Sequence, residues 1–173
     1  MMPADLHEKA DRVLLIAIAL IPACMGIFAF LNNLSGWEET VARMVEPMFS
    51  MEGTFGNPAQ TWRAIDNPTF ANLSYLSVFV IEGLFGLLAI VGIVIMLRRF
   101  GRPAAEFVRG IRLVKTACVV AIFVYGFFFF TIGGDWFLAW QNPDLGGLQK
   151  DAVNYGVIVT LAYIVLDSRT RAA

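Results

Sequence analysis

Between Tyr75 and Leu97 the chain reads YLSVFVIEGLFGLLAIVGIVIML, which as a helix at 1.5 Å per residue is about 35 Å long, against a hydrocarbon core of about 30 Å. Its only charged residue is Glu82. A membrane-length apolar block holding a lone acid decides the fold and shows where to look for function. The composition of all 173 residues agrees: 58% are hydrophobic, 16% are charged and mean hydropathy is +0.67, whereas soluble domains carry roughly 25% charged residues. This weighs against a soluble globular enzyme. The net charge of -1 and pI near 5.8 lack the basic footprint that nucleic-acid binding requires.

Working outward, Val13 to Leu31 is almost wholly apolar and gives about 28 Å of helix, a second spanning length. The stretch Ile21-Pro22-Ala23-Cys24 has the look of a lipoprotein cleavage box. Against that reading, the preceding segment is not basic, and the apolar block is longer than a signal h-region and continues through Met25 to Leu31. A third span runs from Leu113 to Gly133, with Pro103 marking the helix start and Gly133-Gly134 its end. Val153 to Leu166 gives only about 21 Å, so a fourth span needs Leu148 to Ala152 as an extension. The expected fold is a single all-α membrane domain over residues 1–173. It is a four-helix transmembrane bundle with spans near 13–31, 75–97, 113–133 and 148–166 and a helical non-cytoplasmic loop after the first. Asn67 followed by Pro68 caps the second helix early, so that helix rises above the bilayer.

Positive charge sets the orientation. Arg98, Arg99, Arg102, Arg109, Arg112 and Lys115 join spans two and three, and Lys9, Arg12, Arg169 and Arg171 lie near the termini. Only Arg43, Arg63 and Lys150 occupy the other side. Both termini are therefore expected in the cytoplasm. Trp37, Trp62, Trp136 and Trp140 all fall in the two non-cytoplasmic loops, as interface anchors do. The first loop, Asn32 to Ser74, is too long for a bare connector. Ser35 and Glu38 have capping-box spacing, and Trp37, Val41, Val45 and Met48 share a helical face, which predicts an amphipathic helix on the membrane surface ending at Pro47. Asn57 and Pro58 predict a second short helix over Ala59 to Ile65. Trp62 and Trp136 are expected to meet over the bundle mouth, with Asp135 beside Arg63.

Few residues carry recognisable chemistry. Cys24 and Cys118 lack disulfide or zinc spacing, and the single histidine, His7, lies outside every apolar block, so a haem or di-metal site cannot be assembled from histidine. No cofactor and no catalytic or metal-binding residue is expected. Glu82 is the exception, because a charged carboxylate inside a membrane costs several kcal/mol and needs a partner or a proton. It shares a face with Phe79, Phe85, Gly86 and Ala89, so it points inward, and depth counting brings Tyr125 and Thr160 to its level. A Glu82–Tyr125 hydrogen bond is expected. Ala152, Gly156 and Thr160 form a small-residue ladder that admits a neighbouring helix. Phe127 to Phe130 reads as a surface for lipid or a partner.

Three stretches carry a family resemblance: Leu31-Asn32-Asn33-Leu34, Thr61-Trp62-Arg63-Ala64-Ile65, and the run from Gly133 through Asp135 and Trp136 to Trp140-Gln141. Together they resemble bacterial predicted small integral membrane proteins that carry a domain of unknown function. The resemblance covers nearly the whole chain, with Asp135 where a member commonly has Glu. It implies the four-span architecture and a place in the bacterial inner membrane, and it brings no activity. The leading expectation is a non-enzymatic accessory or assembly subunit that contacts the lipid bilayer and other membrane subunits of a respiratory or photosynthetic complex. The alternative is a small proton-linked transporter or channel using Glu82.

Overall fold

The computed structural model describes residues 4–171, with side chains from 7 to 170; the Arg171 side chain, counted above among the cytoplasmic charges, lies outside the described residues. Six helices follow in order: α1 (Ala4–Ser35), α2 (37–49), α3 (Pro58–Thr61), α4 (Pro68–Arg98), α5 (Ala104–Trp136) and α6 (Gly147–Arg171). A 3-10 turn, Ala139–Gln141, precedes α6, and no strand occurs among the described residues. The helices α1, α4, α5 and α6 are each long and apolar enough to cross a membrane. The 32 residues of α1 measure about 48 Å, more than a bilayer core requires.

The four long helices form one antiparallel bundle. α4 packs between α1 and α5, and α6 closes the ring against α5 and α1. Two glycine pairs set the closest crossings. A Cβ on Gly86 would stand 2.7 Å from the Ile27 backbone N, and one on Gly26 would stand 2.6 Å from the Glu82 carbonyl oxygen, so α1 and α4 touch backbone to backbone. Gly92 and Gly110 do the same for α4 and α5, where a Cβ on Gly110 would come within 2.5 Å of the Gly92 carbonyl. Small residues at membrane helix crossings gain dispersion contacts that larger side chains would forbid. Phe85, Ala89, Met96, Ile111, Val114 and Val159 fill the core between these crossings.

Charge fastens the end of the bundle that carries the chain termini. Arg12, only 7% exposed, reaches from α1 into the α4–α5 turn and donates to the carbonyls of Phe100 (2.5 Å) and Arg102 (2.8 Å). Its guanidinium also lies over the Phe107 ring and pairs with Glu8. Lys115 on α5 pairs with Asp167 on α6 and donates to the Thr170 hydroxyl at 3.2 Å.

The opposite end carries a cap, and here several expectations are corrected. Ser35 makes no capping box: it is the last residue of α1, its hydroxyl donates to the Asn32 carbonyl, and Gly36 occupies the cap position of α2. Pro47 does not end α2. Residues Val41–Val45 take the wider π-helical hydrogen bonding, in which the Glu46 N–H donates to the Val41 carbonyl five residues back. The missing N–H of Pro47 is absorbed at the return to α-helix, and α2 runs on to Phe49. Its apolar face packs on protein: Trp37 meets Tyr75 and Phe79 at 5.0 and 5.2 Å, and Phe49 meets Phe137 at 4.9 Å. α3 is one turn, Pro58–Thr61, under an Asn57 cap, shorter than expected. The Asn67 side chain caps α4 by accepting from the Phe70 N–H.

Gly133-Gly134 does not terminate α5. The helix continues to Trp136 with π-type hydrogen bonding from Val124 onward. The glycines let side chains of α6 and the cap lie close against α5: a Cβ on Gly134 would lie 1.9 Å from the Gln149 amide nitrogen, and one on Gly133 2.9 Å from the Met48 sulfur, so a larger residue at either position would make those flexible side chains move. The fourth span is complete, since α6 has 25 residues, about 37 Å. Buried Asn142 and Gln141 tie the two cap loops together, donating to the Glu52 carbonyl and accepting from the Phe55 N–H.

Candidate functional site

Glu82 lies on the inner face of α4, only 2% exposed, with Phe79, Phe85 and Ala89 buried beside it. Gly86, one turn on, brings α1 so close that the end of that helix delivers Asn33 to the carboxylate. The Asn33 amide donates to Glu82 Oε2 at 2.7 Å, and the Tyr125 hydroxyl on α5 is a second side-chain partner. Tyr125 is itself held by aromatic neighbours, Phe85 at 6.4 Å and Tyr155 at 5.2 Å, the latter nearly parallel. Three helices thus converge on one carboxylate and present two neutral donors to it. Thr160 does not join them: its hydroxyl donates to the Gly156 carbonyl at 2.7 Å.

The carboxylate is reached by a half-open cavity of about 560 Å³ between α1 and α6. Its floor is Glu82, Tyr125 and Cys24, its sides include Phe28, Phe129 and Tyr155, and Asn32, Asp144 and Asp151 stand toward the cap. Every charged residue in this lining is an acid, and none of the three makes an ion pair among the described residues. A wall of carboxylates, amides and aromatic faces in a low-dielectric setting attracts a cation, by charge and by ring quadrupole. Among the described residues no group of three or more His, Cys, Asp or Glu side chains is close enough to hold a metal ion. The three acids come from separate segments of the lining: Glu82 from α4, Asp144 from the loop before α6 and Asp151 from the first turns of α6.

The outer-loop residues collect on the cap. The rings of Trp62 and Trp136 meet edge to face at 6.3 Å, and Trp140 meets Phe55 at 5.9 Å. Asp135 and Arg63 take different partners: Asp135 accepts from the Gln149 side chain at 3.1 Å, while the Arg63 guanidinium lies 4.8 Å over the Trp136 ring. The Arg63 Nε is buried without a hydrogen-bond partner. Trp37 belongs to the inner wall, its indole N–H donating to the Asn72 side chain at 3.0 Å. Of the Phe127 to Phe130 run, Phe127 and Phe130 are exposed and Phe128 and Phe129 half-buried.

Sequence reasoning missed Asn33 and Arg12. Asn33 sits in a polar pair at the end of an apolar block, where asparagine reads as a helix exit; only its register two turns beyond Gly26 at the glycine crossing marks it as a ligand of Glu82. In the sequence Arg12 reads as a topological charge, and its role as a clamp depends on the position of the α4–α5 turn.

Residues 11–169 match the family model described as predicted small integral membrane protein (DUF2165), so the chain belongs to that family. No curated protein and no solved structure matches it.

Proposed function

We propose that this member of the predicted small integral membrane proteins is a non-catalytic carrier that binds an organic cation at Glu82 and exchanges it for a proton. The observation that carries the reading is the half-open cavity reaching a buried carboxylate through a lining whose charged residues are all acids. An intramembrane carboxylate is stabilised by a positive partner or by a proton. Glu82 has two neutral donors and no paired base, so it accommodates one positive charge at a time. A bound ammonium and a bound proton then exclude each other, which is the minimum requirement for exchange. The positive-inside bias supports a cavity mouth on the non-cytoplasmic side of a bacterial inner membrane, with both termini in the cytoplasm.

Purified protein in proteoliposomes carrying an imposed pH gradient tests this, with labelled benzylammonium as the probe. Gradient-driven uptake is expected for the natural chain and its loss for Glu82→Gln, which keeps side-chain volume and hydrogen bonding but cannot exchange a proton. Equal uptake by both would refute the reading.

A separate observation favours the accessory-subunit reading. An apolar groove of about 310 Å³ runs between α5 and α6, and Gly126 and Gly156 on its two walls have nothing within 4 Å of an added Cβ. Uncovered small residues of this kind receive a neighbouring helix. Stoichiometric co-purification of another membrane subunit, lost on Gly156→Leu, would support it; isolation of the chain alone in mild detergent would count against it.

A further inference from the structure

Resting on the cation-binding reading above, we propose that the cation is amphiphilic: a single-chain alkylammonium whose charged head lies at Glu82 and whose hydrocarbon tail passes beneath α2 into a second cavity. That cavity, about 530 Å³, is walled by α2, α4 and α5 and contains no charged residue. Val45, Phe49, Val78, Phe128 and Ile132 give it an apolar surface. It adjoins the acidic cavity directly, because Asn33, Met44, Phe129 and Leu148 belong to both linings. Asn33 is the residue whose amide is bonded to Glu82, so the head-group ligand itself stands in the partition. Two of the other three partition residues, Met44 and Leu148, are unbranched or γ-branched aliphatics that change rotamer at little cost.

The chemistry of the two chambers differs in the way the two ends of such a molecule differ. The first offers carboxylates, amides and aromatic faces, which replace water around an ammonium group. The second offers only apolar surface and a few neutral polar atoms, which suits hydrocarbon and would strand a second charge. Both volumes fall within the range of about 300–1,000 Å³ typical of small-molecule sites, and neither chamber alone matches a molecule with one charged and one apolar end. The absence of any Lys, Arg or His from both linings disfavours a phosphate-bearing head, so a zwitterionic aminolipid is not the ligand. The π-helical stretch of α5 supplies Tyr125 to the first chamber, Phe128 to the second and Phe129 to both. Departures from α-helical hydrogen bonding of this kind commonly accompany function.

The test uses dodecylammonium with a photoreactive diazirine at the far end of its chain, irradiated with the full-length protein in phosphatidylcholine nanodiscs, and adducts are mapped by mass spectrometry. Adducts are expected on Val45, Phe128 or Ile132, to be lost in Glu82→Gln and lost on competition with unlabelled dodecylammonium. Ser74→Phe, which narrows the second chamber only, should abolish these adducts while benzylammonium binding is retained. Labelling confined to outward-facing residues such as Leu84 and Leu87, or competition by added phosphatidylethanolamine, would overturn the proposal. Glu82-dependent benzylammonium binding without chamber labelling would overturn this inference and leave the carrier reading standing. Failure of both cations to bind would overturn the two together.

Discussion

Replacing Gly86 by Ala tests how the site is assembled. The added Cβ would lie 2.7 Å from the Ile27 nitrogen and 2.9 Å from the Gly26 carbonyl carbon, all backbone atoms of the facing helix. Restoring ordinary contact at 3.4 Å requires α1 and α4 to separate by about 0.7 Å, and backbone cannot yield as a side-chain tip can. Overpacking costs about 1–3 kcal/mol, and a clash with unyielding backbone belongs to the upper part of that range, about 2–3 kcal/mol. The helix propensity of alanine returns about 1 kcal/mol, leaving a net loss of about 1–2 kcal/mol. For a chain of this length that is a fall in Tm of about 2–8 °C, measured by circular dichroism in detergent. Gly156→Ala is the control, because nothing lies within 4 Å of its added Cβ; it should leave Tm unchanged or raise it. Equal damage from the two substitutions, or a silent Gly86→Ala, would refute the backbone-contact crossing that brings Asn33 to Glu82.

Asn33→Leu removes the amide that donates to Glu82 and should cost about 1–3 kcal/mol, the penalty for a buried acceptor left without its donor; detergent unfolding of that variant beside Asn32→Leu checks it, since exposed Asn32 should tolerate the change. Arg12→Met strips the clamp from the Phe100 and Arg102 carbonyls and is expected to destabilise by about 2–4 kcal/mol, charged hydrogen bonds being worth about 1.5–3 each, with limited proteolysis moving to the α4–α5 turn. With Cys24 and Cys118 replaced by Ser, a membrane-impermeant thiol reagent applied from outside should label Gly56→Cys and spare Ala105→Cys; the opposite pattern would invert the topology. Trp136→Ala removes the ring beneath Arg63 and beside Trp62, at an expected cost near 1 kcal/mol read as a lower Tm.

The spans were legible because membrane helices advertise themselves by length and uniform hydropathy, and the Asn67-Pro68 cap by a local hydrogen bond needing only its own neighbours. The inward direction of Glu82 followed from small and aromatic residues at helical spacing. What stayed hidden depended on another element. Gly133-Gly134 has the form of a helix stop, and only the press of Gln149 and Met48 shows that it serves close approach. Pro47 reads as a breaker because proline lacks an N–H, yet a π-helical turn just before it removes the need for that donor. The Asn33–Glu82 bond joins residues 49 positions apart, and its geometry comes from the Gly26–Gly86 crossing, which no local pattern encodes. Arg63 and Asp135, opposite charges on one side of the bundle, choose an aromatic face and an amide because the cap loops hold them apart.

The central claim is that a bound organic cation replaces a proton on Glu82. Proton release on ligand addition tests it most directly: benzylammonium is titrated into the purified protein in weakly buffered nanodiscs, near the pH at which Glu82 is protonated in the free protein, and the change in pH is recorded beside equilibrium binding. The account predicts release approaching one proton per cation bound, weaker binding as pH falls because protons compete for the same carboxylate, and neither effect in Glu82→Gln. Binding without proton release, or binding to Glu82→Gln with unchanged affinity, would contradict it.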